Sequence, residues 1–155
     1  MTKRIDPATL QAKIGTAYPS PYDVPCLHRE RRRLGDAAQL TQFGVNLLRL
    51  PPGAWSSQRH WHTREDEFVF IVSGEVVLVT DAGEETLRAG DCAGFPAGEP
   101  NGHHLQNRSA QPATVLEVGS RHNEDGAFYS DIDMQIAPGS DVYTRRDGTP
   151  LQNPK

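Results

Sequence analysis

The stretch from Glu67 to Thr80 limits the fold more than any other. It reads Glu-Phe-Val-Phe-Ile-Val-Ser-Gly-Glu-Val-Val-Leu-Val-Thr, two β-branched and aromatic segments on either side of one glycine. Segments of this length and composition are strands, and two of them joined this closely form a hairpin. Alternation puts Glu67, Val69 and Ile71 on one face of the first strand and Phe68, Phe70 and Val72 on the other. Beyond the first residue both faces are apolar, so each needs a cover. One cover is the domain's own core. The other is a second sheet, the N-terminal arm or another copy of the chain, and because two-fold pairs are the commonest oligomers a homodimer is expected.

Further short apolar runs follow the same pattern. Val45 to Leu50 is stopped by Pro51-Pro52-Gly53, and Glu84 to Leu87, Cys92 to Phe95, His103 to Asn107 and Thr114 to Val118 come after the hairpin with turn residues between them. Fourteen glycines and twelve prolines are spread through the chain as punctuation rather than gathered in one tract. Short strands at this spacing predict an all-β antiparallel sandwich or barrel. With 155 residues, 36% of them apolar, the chain has material for one domain with its own core. Pro7, Pro19, Pro21 and Pro25 prevent a long helix in the first segment. The expected division is therefore an irregular N-terminal arm over 1–42, a core over 43–119 and a C-terminal extension over 120–155 packing on it, with weak strands near Asp133 to Ile136 and Val142 to Arg145.

Charge and composition remove several classes of function. A formal charge of −4 offers no basic surplus for a phosphate backbone, so nucleic acid is not an expected partner. Arg29, Arg31, Arg32 and Arg33 are interrupted by Glu30 and read as a solvated or subunit-contacting segment. No apolar span is long enough to cross a membrane, and the N-terminus has no hydrophobic signal core. Cys26 and Cys92 are read as free thiols of a cytoplasmic, reducing-compartment protein, with Cys92 a small buried hydrophobe.

The chemistry concentrates just before the hairpin. His60 and His62 are one residue apart, so on a strand they share a face, and Glu67 follows at the head of the apolar run. Imidazole and carboxylate donors suit one divalent ion such as Zn, Fe, Mn or Ni. His-x-His alone is often merely solvated, and the neighbouring pattern is what singles this pair out. Gly53 precedes it, Glu67 follows it, and Gly74 closes the strand after the carboxylate.

Gly53, His60, His62, Glu67 and Gly74 together resemble the first motif of the cupin superfamily, with Gly53 one residue further from the first histidine than usual. Gly90, Pro96, Gly98, His103 and Asn107 resemble the second motif, with the loop between Gly98 and the histidine lengthened by two residues. The resemblance implies a double-stranded β-helix of the jelly-roll type over about Phe43 to Gly119. It also implies metal ligands His60, His62, Glu67 and His103. His103 keeps the motif's distance to Asn107, and His104 is the alternative, since only one of two neighbours on a strand faces inward. The Asp-Gly-Thr-Pro ending is similar to that of small bacterial single-domain cupins and reads as packing or a subunit contact.

Such a shell at a barrel mouth, with positions left open, implies a small-molecule ligand or substrate. Three functions are then open. One is a sugar-phosphate isomerase-like enzyme acting on a small oxygen-rich metabolite, for which Glu65, Asp66 and His104 are the nearby candidate bases and Arg49 and Arg59 the candidate phosphate contacts. Another is an iron or manganese dioxygenase or oxalate-type enzyme. The third is a non-catalytic module that binds or senses a small ligand, because fold alone does not confer activity. Trp61, between two inward histidines, is expected to point away from the pocket.

Overall fold

The computed structural model describes residues 4–152. Its strands are β1 (Lys13–Ile14), β2 (Glu30–Arg33), β3 (Phe43–Leu50), β4 (His60–His62), β5 (Glu67–Ser73), β6 (Glu75–Thr80) and β7 (Gly83–Arg88). They continue as β8 (Cys92–Phe95), β9 (His104–Gln106), β10 (Ala113–Ser120), β11 (Ala127–Tyr129), β12 (Gln135–Ile136) and β13 (Tyr143–Thr144). A single helical turn, α1 (Leu34–Ala37), lies between β2 and β3. All paired strands are antiparallel. No helix among the described residues is long and apolar enough to cross a membrane.

One wall of the barrel is a six-stranded sheet in the order β1-β2-β3-β10-β5-β8. The facing wall is the sheet β7-β6-β9 beside the sheet β13-β12-β11-β4, and the bridge between His60 and His103 links the two. Alternation sends Leu48 and Leu50 of β3, Val69 and Ile71 of β5 and Val115 of β10 into the interior. There they meet Val76, Leu78, Leu87 and Leu105 from the other wall in one buried cluster. Burying each such side chain stabilises the fold by about 1.5–3 kcal/mol. Gly74 is the corner at which the chain passes from β5 in one wall to β6 in the other: its φ is +79°, and a Cβ there would stand 2.7 Å from the Pro112 carbonyl oxygen. Asn107 is fully buried and ties two loops together, its amide donating to the carbonyls of Leu50 and Gln111 at 2.8 Å each.

The two ends of the chain share a second core. Tyr18 and Cys26 from the N-terminal segment pack with Ala127, Tyr129 and Met134 from the C-terminal one. Burial pushes the Cys26 thiol up to about 11. The extension also completes a sheet, since β11 pairs with the histidine strand β4 in the register Ala127 to His62 and Tyr129 to His60.

Four expectations are corrected. The two apolar segments around Gly74 do not form a hairpin with each other: β5 pairs with β10 and β8 in one wall and β6 with β7 and β9 in the other, so the chain crosses between sheets at the glycine. The arm is not irregular throughout: β1 and β2 extend the main sheet, and the arginine-rich piece, expected to be a solvated or subunit-contacting segment, forms β2. Its register pairs Arg31 with the fully buried Leu48, which puts Arg31 and Arg33 on the cavity side of the sheet; Arg29 is buried and Arg31 half-buried, while Arg33 at the strand's end stays exposed. Cys92 is exposed rather than buried, because it pairs with Phe70 and so lies on the outer face of the sheet. Phe68, Phe70 and Val72 stand open on that face, at 41%, 38% and 48% exposure.

Candidate metal centre

The inward face of β5 runs Ile71, Val69, Glu67, so the carboxylate is the first polar rung above the apolar core. Three histidines close around it. The Nε2 atoms of His60 and His62 lie 3.6 and 3.5 Å from the Glu67 oxygens, and His103 Nε2 lies 2.6 Å away. Donor atoms of His60, His62 and Glu67 fall within 4.8 Å of one another. The antiparallel bridge between His60 and His103 is what carries the third imidazole to Glu67, and its ring stacks on Phe95 with centroids 3.6 Å apart. His104 faces elsewhere. Its Nδ1 donates to the Ser57 carbonyl at 2.8 Å, and its ring meets Trp55 edge-on.

The outer nitrogens decide what the inner ones offer. His60 Nδ1 donates to the Gln58 carbonyl at 2.8 Å, and His62 Nδ1 donates to Asp125 Oδ2 at 2.6 Å. Both acceptors require the proton on Nδ1, which leaves Nε2 as the nitrogen each ring can offer inward once it carries no proton. Three imidazoles gathered around one carboxylate fit a divalent ion that takes the place of the protons now between them. Burial pushes His60 down to about 4, against the pull of Glu67, so that ring is neutral and can ligate at ordinary pH. For His62 burial also opposes charge, but Glu67 on one side and Asp125 on the other outweigh it and hold the pKa at about 9. Burial acts to raise Glu67, yet the hydrogen bonds from His103 and His62 keep it well below the usual carboxylate range. Among the described residues the buried Nδ1 of His103 has no partner.

Asp125 had no signal in the sequence beyond the turn-forming Asp-Gly pair. Its Oδ1 accepts from the backbone N–H groups of Arg64 and Glu65 at 2.8 and 3.2 Å, so it is fixed before it meets His62. A carboxylate behind a ligating imidazole sets ring orientation and raises basicity. Asp125→Ala is accordingly expected to weaken divalent-metal binding about 10–100-fold, with Asp125→Asn in between because its amide oxygen still accepts from Nδ1. Competition with a chromophoric chelator measures this, and unchanged affinity in the alanine variant would remove the role.

The cluster opens on a cavity of about 540 Å³ lined by His60, Glu67, His103 and Phe95 on one side. His62, with Trp61, edges a smaller recess of about 50 Å³ behind Glu67. Trp61 stacks on Phe128 and takes no part in the larger cavity. The cavity's far wall is basic, formed by Lys13, Arg29, Arg31, Arg33 and Arg121. Glu117 projects between the two sides from β10, held by Arg31 through two bonds of 2.8 and 2.9 Å.

The residues expected to serve as base or phosphate contact lie outside this cavity, except His104, which lines it but is engaged by Ser57. Glu65 accepts from the His122 N–H and Asp66 from the Ala97 N–H, both at 2.8 Å. Arg49 pairs with Glu30 at 3.3 Å, and Arg59 is clamped by Asp131 at 2.8 and 2.9 Å and also paired with Asp81. Glu117 was overlooked, although Ala113, Val115 and Glu117 alternate onto one face of their strand.

The cupin domain family matches residues 46–119. None of the curated proteins matches the chain. Among solved structures, a sugar phosphate isomerase of the cupin superfamily from Silicibacter pomeroyi is 47% identical, covers 97% of both chains and superposes with a TM-score of 0.91. A candidate sugar phosphate isomerase from Acidithiobacillus ferrooxidans is 24% identical over 82% of each chain, with a TM-score of 0.72. The polyketide cyclase RemF from Streptomyces resistomycificus is 24% identical over 77% of this chain and 80% of its own, with a TM-score of 0.62. The last two share the fold. Identity of nearly one residue in two along almost the whole length goes further, and with the matching domain it shows that the chain belongs to the cupin superfamily.

Proposed function

We propose that this cupin is a metal-dependent enzyme that isomerises a small oxygen-rich metabolite of the sugar-phosphate class, with His60, His62, Glu67 and His103 as ligands to one divalent ion. A bound ion would supply Lewis acidity toward a substrate oxygen. The observation that carries the reading is Glu117, a carboxylate facing the histidine cluster across one cavity. It stands diagonally from Glu67 on the neighbouring strand, since Glu117 pairs with Val69 and Gly119 with Glu67. Diagonal neighbours on one face are about 7–8 Å apart, room for a substrate carbon between them.

In this reading Glu117 removes the proton from one of two adjacent oxygen-bearing carbons and returns it to the other. The hydroxyl proton crosses in the same sense, from the oxygen of the carbon that loses its proton to the carbonyl oxygen of the carbon that gains it, so carbonyl and alcohol exchange places and no redox partner is consumed. Arg31 holds the carboxylate in place through both of its oxygens. A positioned base favours proton transfer over oxygen chemistry, which needs none. The Silicibacter pomeroyi neighbour, a sugar phosphate isomerase, supports the same choice. Metal-loaded protein in deuterium oxide with a panel of aldose and ketose phosphates tests it by NMR. Deuterium entering the carbon beside the carbonyl is expected, and no incorporation from any member of the panel would contradict it.

The same proposal includes a homodimer. Phe68, Phe70 and Val72 with Phe43 leave an apolar outer face on a single chain, and a second copy is the simplest cover. Sedimentation velocity should find twice the chain mass at micromolar concentration; a monomer there would remove this account of the face.

A further inference from the structure

We propose that Arg121, Arg33 and Lys13 form a phosphate-binding subsite at the end of the cavity opposite the histidine cluster. It rests on the reading of this cavity as a substrate site and adds which residues grip the anionic end.

The charge on the cavity wall runs against that of the whole chain. Five cations line it against three carboxylates, Glu67, Glu117 and Asp36, in a protein of formal charge −4. Only Arg31 among the five is closely neutralised. Arg29 is buried, donates to the carbonyls of Gly15 and Ser56 and lies over the Tyr18 ring, and among the described residues no carboxylate pairs with it. Arg33 reaches Asp36 loosely at 3.5 Å with both side chains more than half exposed. Arg121 and Lys13 have no ion-pair partner among the described residues. A concave wall of one sign concentrates counter-ions, and forked guanidinium groups from two segments match phosphate better than a single carboxylate.

The backbone prepares the approach. A Cβ at Gly44 would stand 2.0 Å from a terminal nitrogen of Arg121, so the glycine is what lets that guanidinium lie on the inner face of β3. Gly44 pairs with Gly119 on β10, and Gly119 pairs with Glu67 on β5. The surface between Arg121 and the metal-ligating carboxylate is therefore bare backbone, two strand spacings or about 10 Å wide. A short polyhydroxy chain can lie across it, oxygens toward the histidines and phosphate toward the arginines. Arg33 pairs in register with Asn46, one inward position from Gly44, and Lys13 with Arg31, so both flank the same end.

Inorganic phosphate is the probe, titrated calorimetrically into metal-free protein. Wild type is expected to bind it. Arg121→Ala and Arg33→Ala should each raise the dissociation constant at least tenfold, and Gly44→Ala should also weaken binding by displacing a guanidinium that is still present. Arg145→Ala, an exposed cation outside the cavity, should change nothing. His62→Ala should keep phosphate binding, so loss of the metal reading and loss of the subsite are separate results. Absence of wild-type binding at millimolar phosphate, equal binding by Arg121→Ala, or acetate binding as tightly as phosphate would each overturn the proposal.

Discussion

His62→Ala is expected to weaken divalent-metal binding by more than about 100-fold, since changes behind a ligand already cost about 10–100-fold. The ring lies between two carboxylates, Nε2 toward Glu67 and Nδ1 on Asp125, and no neighbouring group in the cluster can replace it. His104 is engaged by Ser57 and Trp55 and cannot move in. The fold should survive, because the cluster sits above the core and the buried contacts of Leu48, Ile71, Val76 and Val115 do not involve it. Metal content after dialysis and a circular-dichroism spectrum measure the two halves of this expectation. Retained metal in a folded variant would exclude His62 as a ligand.

Glu117→Gln is expected to lower turnover about 10²–10⁴-fold, the usual contribution of a positioned acid or base. The amide keeps the shape and one oxygen to accept from Arg31, but it cannot carry the proton. Metal content should be unchanged, since Glu117 meets Arg31 and none of the four proposed ligands. A fall in kcat with little change in KM is the expected pattern, because the group acts on the proton in flight rather than on the bound ground state. Undiminished kcat would move the base elsewhere and weaken the isomerase reading.

What could be read from residues alone followed from short-range pattern. The strands β5 and β6 were legible as two apolar segments flanking a glycine, but their pairing was not: β5 pairs with β10 and β8, and β6 with β7 and β9, partners that local pattern does not name. His60, His62 and Glu67 were legible because alternation fixes the face of a strand. The choice between His103 and His104 turned on a bridge to His60, a pairing across the barrel that spacing alone does not contain. The second strand escaped because Glu-Arg-Arg-Arg has no apolar alternation: Arg31 is held inside by Glu117, 86 residues away in the chain. Asp125 is equally remote, 63 residues beyond the histidine it orients. Cys92 was misplaced because a strand whose two sides are both apolar does not announce which side is open. In each case the missing information was a long-range partner, and those partners build the cavity's chemistry.

An anomalous-difference map from crystals of manganese- or zinc-loaded protein, collected at the metal's absorption edge, tests the central claim most directly. One peak per chain is expected within coordination distance of His60, His62, Glu67 and His103. A peak between Glu65 and Asp125 beside His62, the other grouping of donors in the structure, or no peak at this end of the barrel, would contradict it.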